Sequence, residues 1–247
     1  MSLLAEAKQF VADHIKAEFH DRRLARIEAL KLDDVLKRKN PYLFKAKAVT
    51  SAPEMVRQIL DANLSSSEET VFGEFLEKLA IFVCQRVYGG VKPATNGIDL
   101  DFTREGIRYL VSIKSGPNWA NAPAKRRMLQ DFGAARKIIG HKAALMFVNG
   151  CCYGRDAKPF KAKDNYLKLC GQDFWFLISN ESNMYHEIVE PLGAKAKERN
   201  DEFNEAYGRA LTRFTKAFTN SFCTEDGAIN WPAIVDLTSR SKKLWQP

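Results

Sequence analysis

The pattern of apolar positions divides the chain into three segments. In residues 1–64 and again in residues 181–247, apolar side chains recur every three or four positions, which predicts helices. In residues 65–180, helical spacing gives way to strand-like alternation and to short apolar runs. We therefore predict an α/β fold in which a mixed core is flanked by helical N- and C-terminal segments, all within one compact domain.

The middle segment is predicted to begin with a helix. Pro53 is expected to open one helix before it, and Ser66 with Glu69 has the spacing of a capping box, so a second helix should start there. The Gly89-Gly90 pair should end it. Further along, a helix is predicted over residues 124–139, and buried strands are predicted over residues 143–148 and 174–178.

A β-hairpin is predicted directly after the Gly89-Gly90 pair. Residues 98–102 alternate apolar and acidic side chains, and residues 109–114 form a second strand after a turn at Glu105-Gly106. With the turn centred there, Asp99 lies opposite Ser112. Side chains alternate across a strand, so one face carries polar groups and the other is apolar. The polar face consists of Asp99, Asp101, Ser112 and Lys114, and the apolar face of Ile98, Leu100, Tyr109, Val111 and Ile113.

Two carboxylates and an ammonium group on one hairpin face suit phosphodiester hydrolysis. Carboxylates hold a divalent cation, and hard oxygen ligands favour Mg²⁺. A lysine orients water and offsets the negative charge that develops during the reaction. The alternative is an exposed strand face with incidental charges.

The charge distribution indicates a polyanionic partner. The chain has a formal net charge of +8. Residues 104–168 alone contain 14 basic and 4 acidic residues, a local balance of +10. A localised positive field of this kind favours nucleic acid, although a solvated basic surface is the alternative.

We expect neither a membrane span nor an export signal. The longest apolar runs are far shorter than the ~20 residues that cross a bilayer. Residues 1–11 carry Glu6 and Lys8 inside their apolar pattern and show no small-residue cleavage site. The five cysteines are an odd number, which argues against a disulfide framework. We therefore predict a cytoplasmic protein.

A zinc site is a weak possibility in the sequence. Its ligands would be Cys151, Cys152, Cys170 and His141. Their spacing fits no common zinc motif, and adjacent cysteines chelate one ion poorly, so buried thiols are the favoured interpretation.

Longer strings of residues resemble a nuclease family. GIDLDF at 97–102 and YLVSIKSGPNW at 109–119 resemble the PD-(D/E)xK nuclease core. Most of the chain resembles the PmeII-type family of type II restriction endonucleases, with further similarity at KNPYLF, NGCCYGR and GQDFW. The resemblance implies a restriction-endonuclease-like fold and Mg²⁺-dependent cleavage of double-stranded DNA that leaves 5′-phosphate ends. It also implies a homodimer, because palindromic sites are usually read by two-fold symmetric dimers, and a cognate DNA methyltransferase acting on the same site.

Carried over position by position, the resemblance makes Asp99 the metal-binding aspartate and Lys114 the motif lysine. Ser112 departs from the pattern, because the motif has Asp or Glu there and serine supplies no charged metal ligand. Ser112 is therefore expected to support the site without binding metal directly.

Another carboxylate must replace the missing acid. Glu77 follows Gly73 by one helical turn, in a Gly-x-x-x-Glu pattern that resembles the helix glutamate of related nucleases. We favour Glu77 as the metal ligand and rank Asp101 close behind, with Glu74 and Asp131 as weaker candidates. An ordinary solvated helix glutamate is the alternative for Glu77.

The loop after Lys114 and the following helix are predicted to contact DNA. Polar side chains there can donate to phosphate, and basic residues at a helix N-terminus oppose the helix dipole unless an anion lies nearby. Trp119 is equally well explained as a structural tryptophan. The predicted DNA-binding residues are Ser115, Asn118, Trp119, Lys125, Arg126, Arg127, Tyr153 and Arg155, with Asn121 as a further phosphate donor.

Two other functions stay open from the sequence. One is a structure-specific or repair nuclease on the same core, which would cut without a fixed sequence. The other is a catalytically dead DNA-binding protein, because the motif acid is missing at Ser112.

Overall fold

The computed structural model describes residues 1–140, 144–193, 195–241 and 243, which form helices and one β-sheet. The helices are α1 (Leu3–Ile15), α2 (Arg22–Ala29), α3 (Leu32–Leu36), α4 (Pro41–Ala46), α5 (Ala52–Tyr88), α6 (Ala122–Ile139), α7 (Gln172–Ser179), α8 (Met184–Glu187), α9 (Val189–Leu192), α10 (Ala196–Phe222) and α11 (Trp231–Ser239), with a π-helical turn at Lys16–Asp21. The strands are β1 (Leu100–Arg104), β2 (Ile107–Lys114), β3 (Leu145–Cys151), β4 (Phe160–Lys161) and β5 (Tyr166–Cys170). No helix among the described residues is long and apolar enough to cross a membrane.

Helix α5 is one continuous element of 37 residues. The prediction of a new helix at Ser66 is wrong, because the apolar face continues through the serine-rich stretch by way of Leu64 and Val71, and Ser67 is itself buried. A capping box starts a helix only where the preceding chain leaves the helical path. The predicted end is confirmed, since α5 stops at Tyr88 before the glycine pair.

The sheet is mixed, with strand order β1-β2-β3-β5-β4. β2, β3 and β5 are parallel neighbours, whereas β1 and β4 pair antiparallel at the two edges. The predicted hairpin is confirmed: Leu100 pairs with Val111 and Arg104 with Ile107 across the two-residue turn. The predicted helix over residues 124–139 is confirmed as α6, which carries the chain between parallel strands β2 and β3.

The two short apolar runs form different elements in the structure. Residues 174–178 belong to helix α7 and form no strand, because a short, fully buried apolar run has the same pattern in either element. The strand predicted over residues 143–148 is β3; its first residue, Ala143, lies outside the described residues. Strand β5 was not predicted, because its alternation includes the polar Lys168.

Both faces of the sheet are covered. Leu100, Phe102, Val111 and Ile113 pack into a core with α1, α5 and α7. The opposite face packs against α6, and its core consists of Ile98, Leu110, Met128, Phe132, Ala135, Phe147 and Tyr166. The expected apolar face is therefore wrong at Ile98, because strand alternation begins only at Leu100.

The chain forms two compact units. The first consists of Met1–Phe19 and Thr70–Ala196 and contains the whole sheet. The second is helical and consists of His20–Glu69 and the chain from Lys197 onward; its core includes Ile59, Leu60 and Phe218. This grouping differs from the three consecutive segments with boundaries at 64/65 and 180/181, because each unit combines stretches that are distant in sequence.

Candidate active site

Asp99 and Lys114 meet at the carboxyl end of β2. Asp99 directly precedes β1, and its amide donates to the Val111 carbonyl at 2.8 Å, which fixes its position opposite Ser112. The Ile113 amide donates to the Asp99 carboxylate at 2.8 Å. The Lys114 ammonium nitrogen lies 3.8 Å from the same carboxylate oxygen. The hairpin therefore brings the predicted carboxylate and amine into one small site.

Glu77 approaches this pair from helix α5. Burial raises the pKa of the Asp99 carboxyl, and the nearby charge of Glu77 raises it further. The Ile113 amide and the ammonium groups of Lys114 and Lys92 partly offset this rise in pKa. The charges of the two carboxylates repel each other. A divalent cation bound by both carboxylates would reduce this repulsion.

Lys92 is a site residue that the sequence did not indicate. Its ammonium nitrogen lies 2.6 Å from Oε1 of Glu77. The contact depends on how the chain turns after α5, and the sequence around Lys92 carries no motif. The salt bridge holds the Glu77 carboxylate in place while leaving its side chain about one quarter exposed.

The other candidate acids have different surroundings. Asp101 accepts two hydrogen bonds from the Arg108 guanidinium, at 2.9 and 2.6 Å, so its carboxylate is held within the hairpin. Asp131 pairs with Arg127 at 3.2 Å. Ser112 is 2% exposed and lies in the sheet beside the site.

The donor set fits a magnesium ion with few protein ligands. Within the described ranges, no group of three or more histidine, cysteine, aspartate or glutamate side chains is arranged to hold a metal. Mg²⁺ keeps several waters and is usually held by one or two carboxylates together with substrate phosphate. Asp99 and Glu77 meet that requirement.

The cysteines are buried thiols. Cys151, Cys152 and Cys170 are all buried and free, and burial raises the pKa of Cys151 to about 12. Burial raises the pKa of the Cys152 thiol as well, and a protonated thiol is a poor metal ligand. His141, the fourth residue of the zinc hypothesis, lies outside the described residues.

Two loops form the border of the site, one after β2 and one after β3. The Tyr153 amide donates to the Ser115 carbonyl at 3.1 Å, and the Tyr153 ring lies over Gly116 so closely that a Cβ there would overlap it. The Lys114 ammonium nitrogen lies 5.2 Å from the centre of the Trp119 ring, within the range of a cation–π contact. Trp119 is thus both partly buried and part of the site border.

The predicted DNA-binding residues occupy different environments. Arg126 and Arg155 line the protein surface, and neither forms a hydrogen bond or ion pair with any described residue. The Tyr153 side chain is 53% exposed. Exposed guanidinium groups of this kind can contact phosphate.

Other residues in that set already have protein partners. Lys125 pairs with Asp164 at 2.7 Å. Asn121 caps helix α6, because its side-chain oxygen accepts from the Ala124 amide at 3.0 Å. Asn121 therefore stabilises the start of α6, and Lys125 links α6 to the chain before β5.

Comparison with known families agrees with this architecture. A sequence model described as type II restriction endonuclease EcoO109I matches residues 5–200, which is most of the chain. Comparison with curated proteins finds no match. The mixed five-stranded sheet flanked by helices confirms the predicted restriction-endonuclease-like α/β fold. The finer resemblance to the PmeII type stays a prediction. The chain belongs to the type II restriction endonuclease EcoO109I family.

Proposed function

We propose that this protein is a Mg²⁺-dependent type II restriction endonuclease that hydrolyses double-stranded DNA at a specific sequence. The observation that carries the proposal is the 3.8 Å separation of the Lys114 ammonium and the Asp99 carboxylate at the carboxyl end of β2, where the charge of Glu77 also acts on Asp99. Family membership supports the restriction endonuclease class.

Each site residue has a distinct task in this proposal. Asp99 and Glu77 hold the metal, which when bound polarises the phosphate and acidifies a coordinated water. The Ile113 amide keeps the Asp99 carboxylate oriented. The Lys114 ammonium donates to the attacking water and offsets the charge developing on the phosphate oxygens.

The surroundings of the site fit a DNA strand. Arg126 and Arg155 contact phosphate, and Asn118 donates from the loop after β2. Tyr153 and Trp119 border the strand. We propose that two protomers act together as a homodimer in the cytoplasm, beside a methyltransferase that protects the same sequence.

The proposal is tested with purified protein, unmethylated plasmid and Mg²⁺, followed by sequencing of the product ends. We expect discrete fragments with one sequence at every end and no cleavage when EDTA removes the metal. Asp99→Asn and Lys114→Met should each lower the cleavage rate about a hundredfold or more. Lys163→Met, which neutralises an exposed lysine outside the site, should cut at the wild-type rate.

The same experiment separates the other functions. Ends scattered over all sequences would favour a structure-specific or repair nuclease. Salt-dependent binding without cleavage at any Mg²⁺ concentration would favour a DNA-binding protein with an inactive site.

A further inference from the structure

A cleft beside the candidate active site is formed, apart from Trp119, by side chains to which the proposed function gives no role. It has a volume of about 310 Å³ and lies between the loop after β2, the start of α6 and the strands β3 and β5. Two aromatic rings, Trp119 and Tyr166, and three lysines line it. The lysines are Lys125, Lys161 and Lys168.

One side chain of the cleft carries a hydrogen-bond donor that has no partner among the described residues. Asn149 lines the cleft from strand β3 and is 2% exposed. Its side-chain oxygen is 3.8 Å from the Cys151 sulfur, a weak hydrogen bond. Its amide nitrogen forms no hydrogen bond with any residue that the structure describes. The Asn149 side chain is almost fully buried yet lines the cleft, so an acceptor on a ligand bound there is a suitable partner for this nitrogen.

The charges around the cleft favour an anion. Lys161 lies 2.8 Å from Asp156, and Lys168 lies 3.6 Å from the same aspartate. Lys125 pairs with Asp164 at 2.7 Å. Three ammonium groups therefore face two carboxylates, which leaves a positive excess at the cleft.

A row of polar side chains joins this cleft to the catalytic carboxylate. Asp99 lies opposite Ser112, Ser112 pairs with Asn149, and Asn149 pairs with Lys168. These partners share one sheet face, and neighbouring strands are about 4.8 Å apart, so Asn149 stands about 10 Å from Asp99. Trp119 contributes to both places, because it lines the cleft and contacts Lys114.

We propose that this cleft binds a nucleotide next to the scissile phosphodiester. Lys161 and Lys168 bind its phosphate, Trp119 packs against its sugar or base, and the Asn149 amide donates to an acceptor on it. Stacking on an aromatic ring combined with lysine–phosphate contact is a general mode of binding nucleic acid strands. The inference rests on the proposed nuclease function, since it assigns a substrate subsite to the same active site.

The test measures binding of full-length protein to a fluorescent DNA duplex without metal, by anisotropy at several salt concentrations. Lys161→Met and Lys168→Met should each weaken binding about tenfold. Each should also lower the slope of log affinity against log salt by about 0.9, the value for one lost phosphate contact. Lys163→Met is the matched control, because Lys163 is exposed, close in sequence and outside the cleft. It should leave both quantities near wild type.

Two further measurements separate binding from structural damage. Lys161→Arg keeps the charge and should keep the salt slope. Thermal denaturation reports whether each variant is folded, because Lys168 also donates to the Pro117 carbonyl at 3.1 Å. Weaker binding with an unchanged salt slope would assign these lysines a structural role and overturn the cleft proposal.

The outcomes also separate this inference from the proposed function. If the wild-type protein cleaves DNA but the Lys161 and Lys168 variants bind DNA as tightly as Lys163→Met does, the cleft proposal alone is overturned. Wild-type protein that binds DNA through these lysines but never cuts it overturns the nuclease proposal and leaves the cleft as a DNA contact. Wild-type protein that does not bind DNA overturns both.

Discussion

Ser112 occupies a position where the nuclease motif has an acid, and its environment is unfavourable for one. The side chain is almost fully buried in the sheet, where an ionised carboxylate would be costly. Glu77 on α5 brings a carboxylate to the same place from outside the strand, and Lys92 holds it there. We therefore propose that the second acid comes from a helix rather than from strand β2.

We predict that Glu77 and Asp101 respond differently to amide substitution. Glu77→Gln should raise the Mg²⁺ concentration for half-maximal cleavage about tenfold or more, because it removes a metal ligand, and high Mg²⁺ should partly restore the rate. Asp101→Asn should leave the Mg²⁺ requirement unchanged and destabilise the fold by about 1 kcal/mol, because it weakens a partly exposed ion pair with Arg108.

Cleavage rates across a Mg²⁺ series, combined with urea denaturation, give both quantities. The reverse result, a metal requirement that shifts only in Asp101→Asn, would transfer the ligand role to Asp101.

At the scale of elements, two loops pack together at the carboxyl ends of β2 and β3. The Cys152 amide donates to the Lys114 carbonyl at 2.9 Å, which extends the parallel ladder beyond the strand ends. Gly154 has φ +97°, and a Cβ there would lie 2.5 Å from the Pro117 ring. The glycine thus lets the loop after β3 approach the loop that follows Lys114.

We predict that Gly154→Ala destabilises the protein by roughly 2–4 kcal/mol, because backbone strain and overlap with Pro117 add together. It should also slow cleavage, because the displaced loop packs on the loop that follows Lys114. Gly106→Ala is the matched control: Gly106 has φ +78°, but no neighbouring atom lies within 4 Å of the place that an alanine methyl group would occupy. Strain alone should cost about 1 kcal/mol there.

Urea denaturation of the two variants measures the difference. Equal losses of stability would show that backbone strain, and not the packing of the two loops, sets the requirement for glycine at position 154.

At the scale of the whole molecule, the chain divides into a sheet-containing unit and a helical unit. All the candidate catalytic residues lie in the first unit. The positive charge of residues 104–168 lies in the same unit, so the electrostatic attraction for DNA acts where the carboxylates are.

We predict that the protein is a homodimer in solution, with a mass about twice the 28.0 kDa of one chain. The physical reason is symmetry, because a two-fold dimer presents two equivalent active sites to the two strands of a palindromic site. Sedimentation equilibrium measures the mass. The prediction would be contradicted if the protein cuts both DNA strands at once at a concentration at which its measured mass is that of a monomer.

The sequence by itself determined the hairpin, its register and the meeting of Asp99 with Lys114. Alternation and a two-residue turn are local features, so they act before any long-range contact forms. The end of α5 at its glycine pair and the position of α6 were also readable from local signals. The motif strings indicated the nuclease class for the same reason, since they lie within short stretches of chain.

Only the tertiary structure decided the remaining features. The continuity of α5 through Ser66 and the helical form of residues 174–178 depend on burial against distant parts of the chain. The Glu77–Lys92 pair, the Asp101–Arg108 pair and the cleft around Asn149 depend on which side chains meet after folding. Periodicity reports which face of an element is buried, but it carries no information about the partner that buries it.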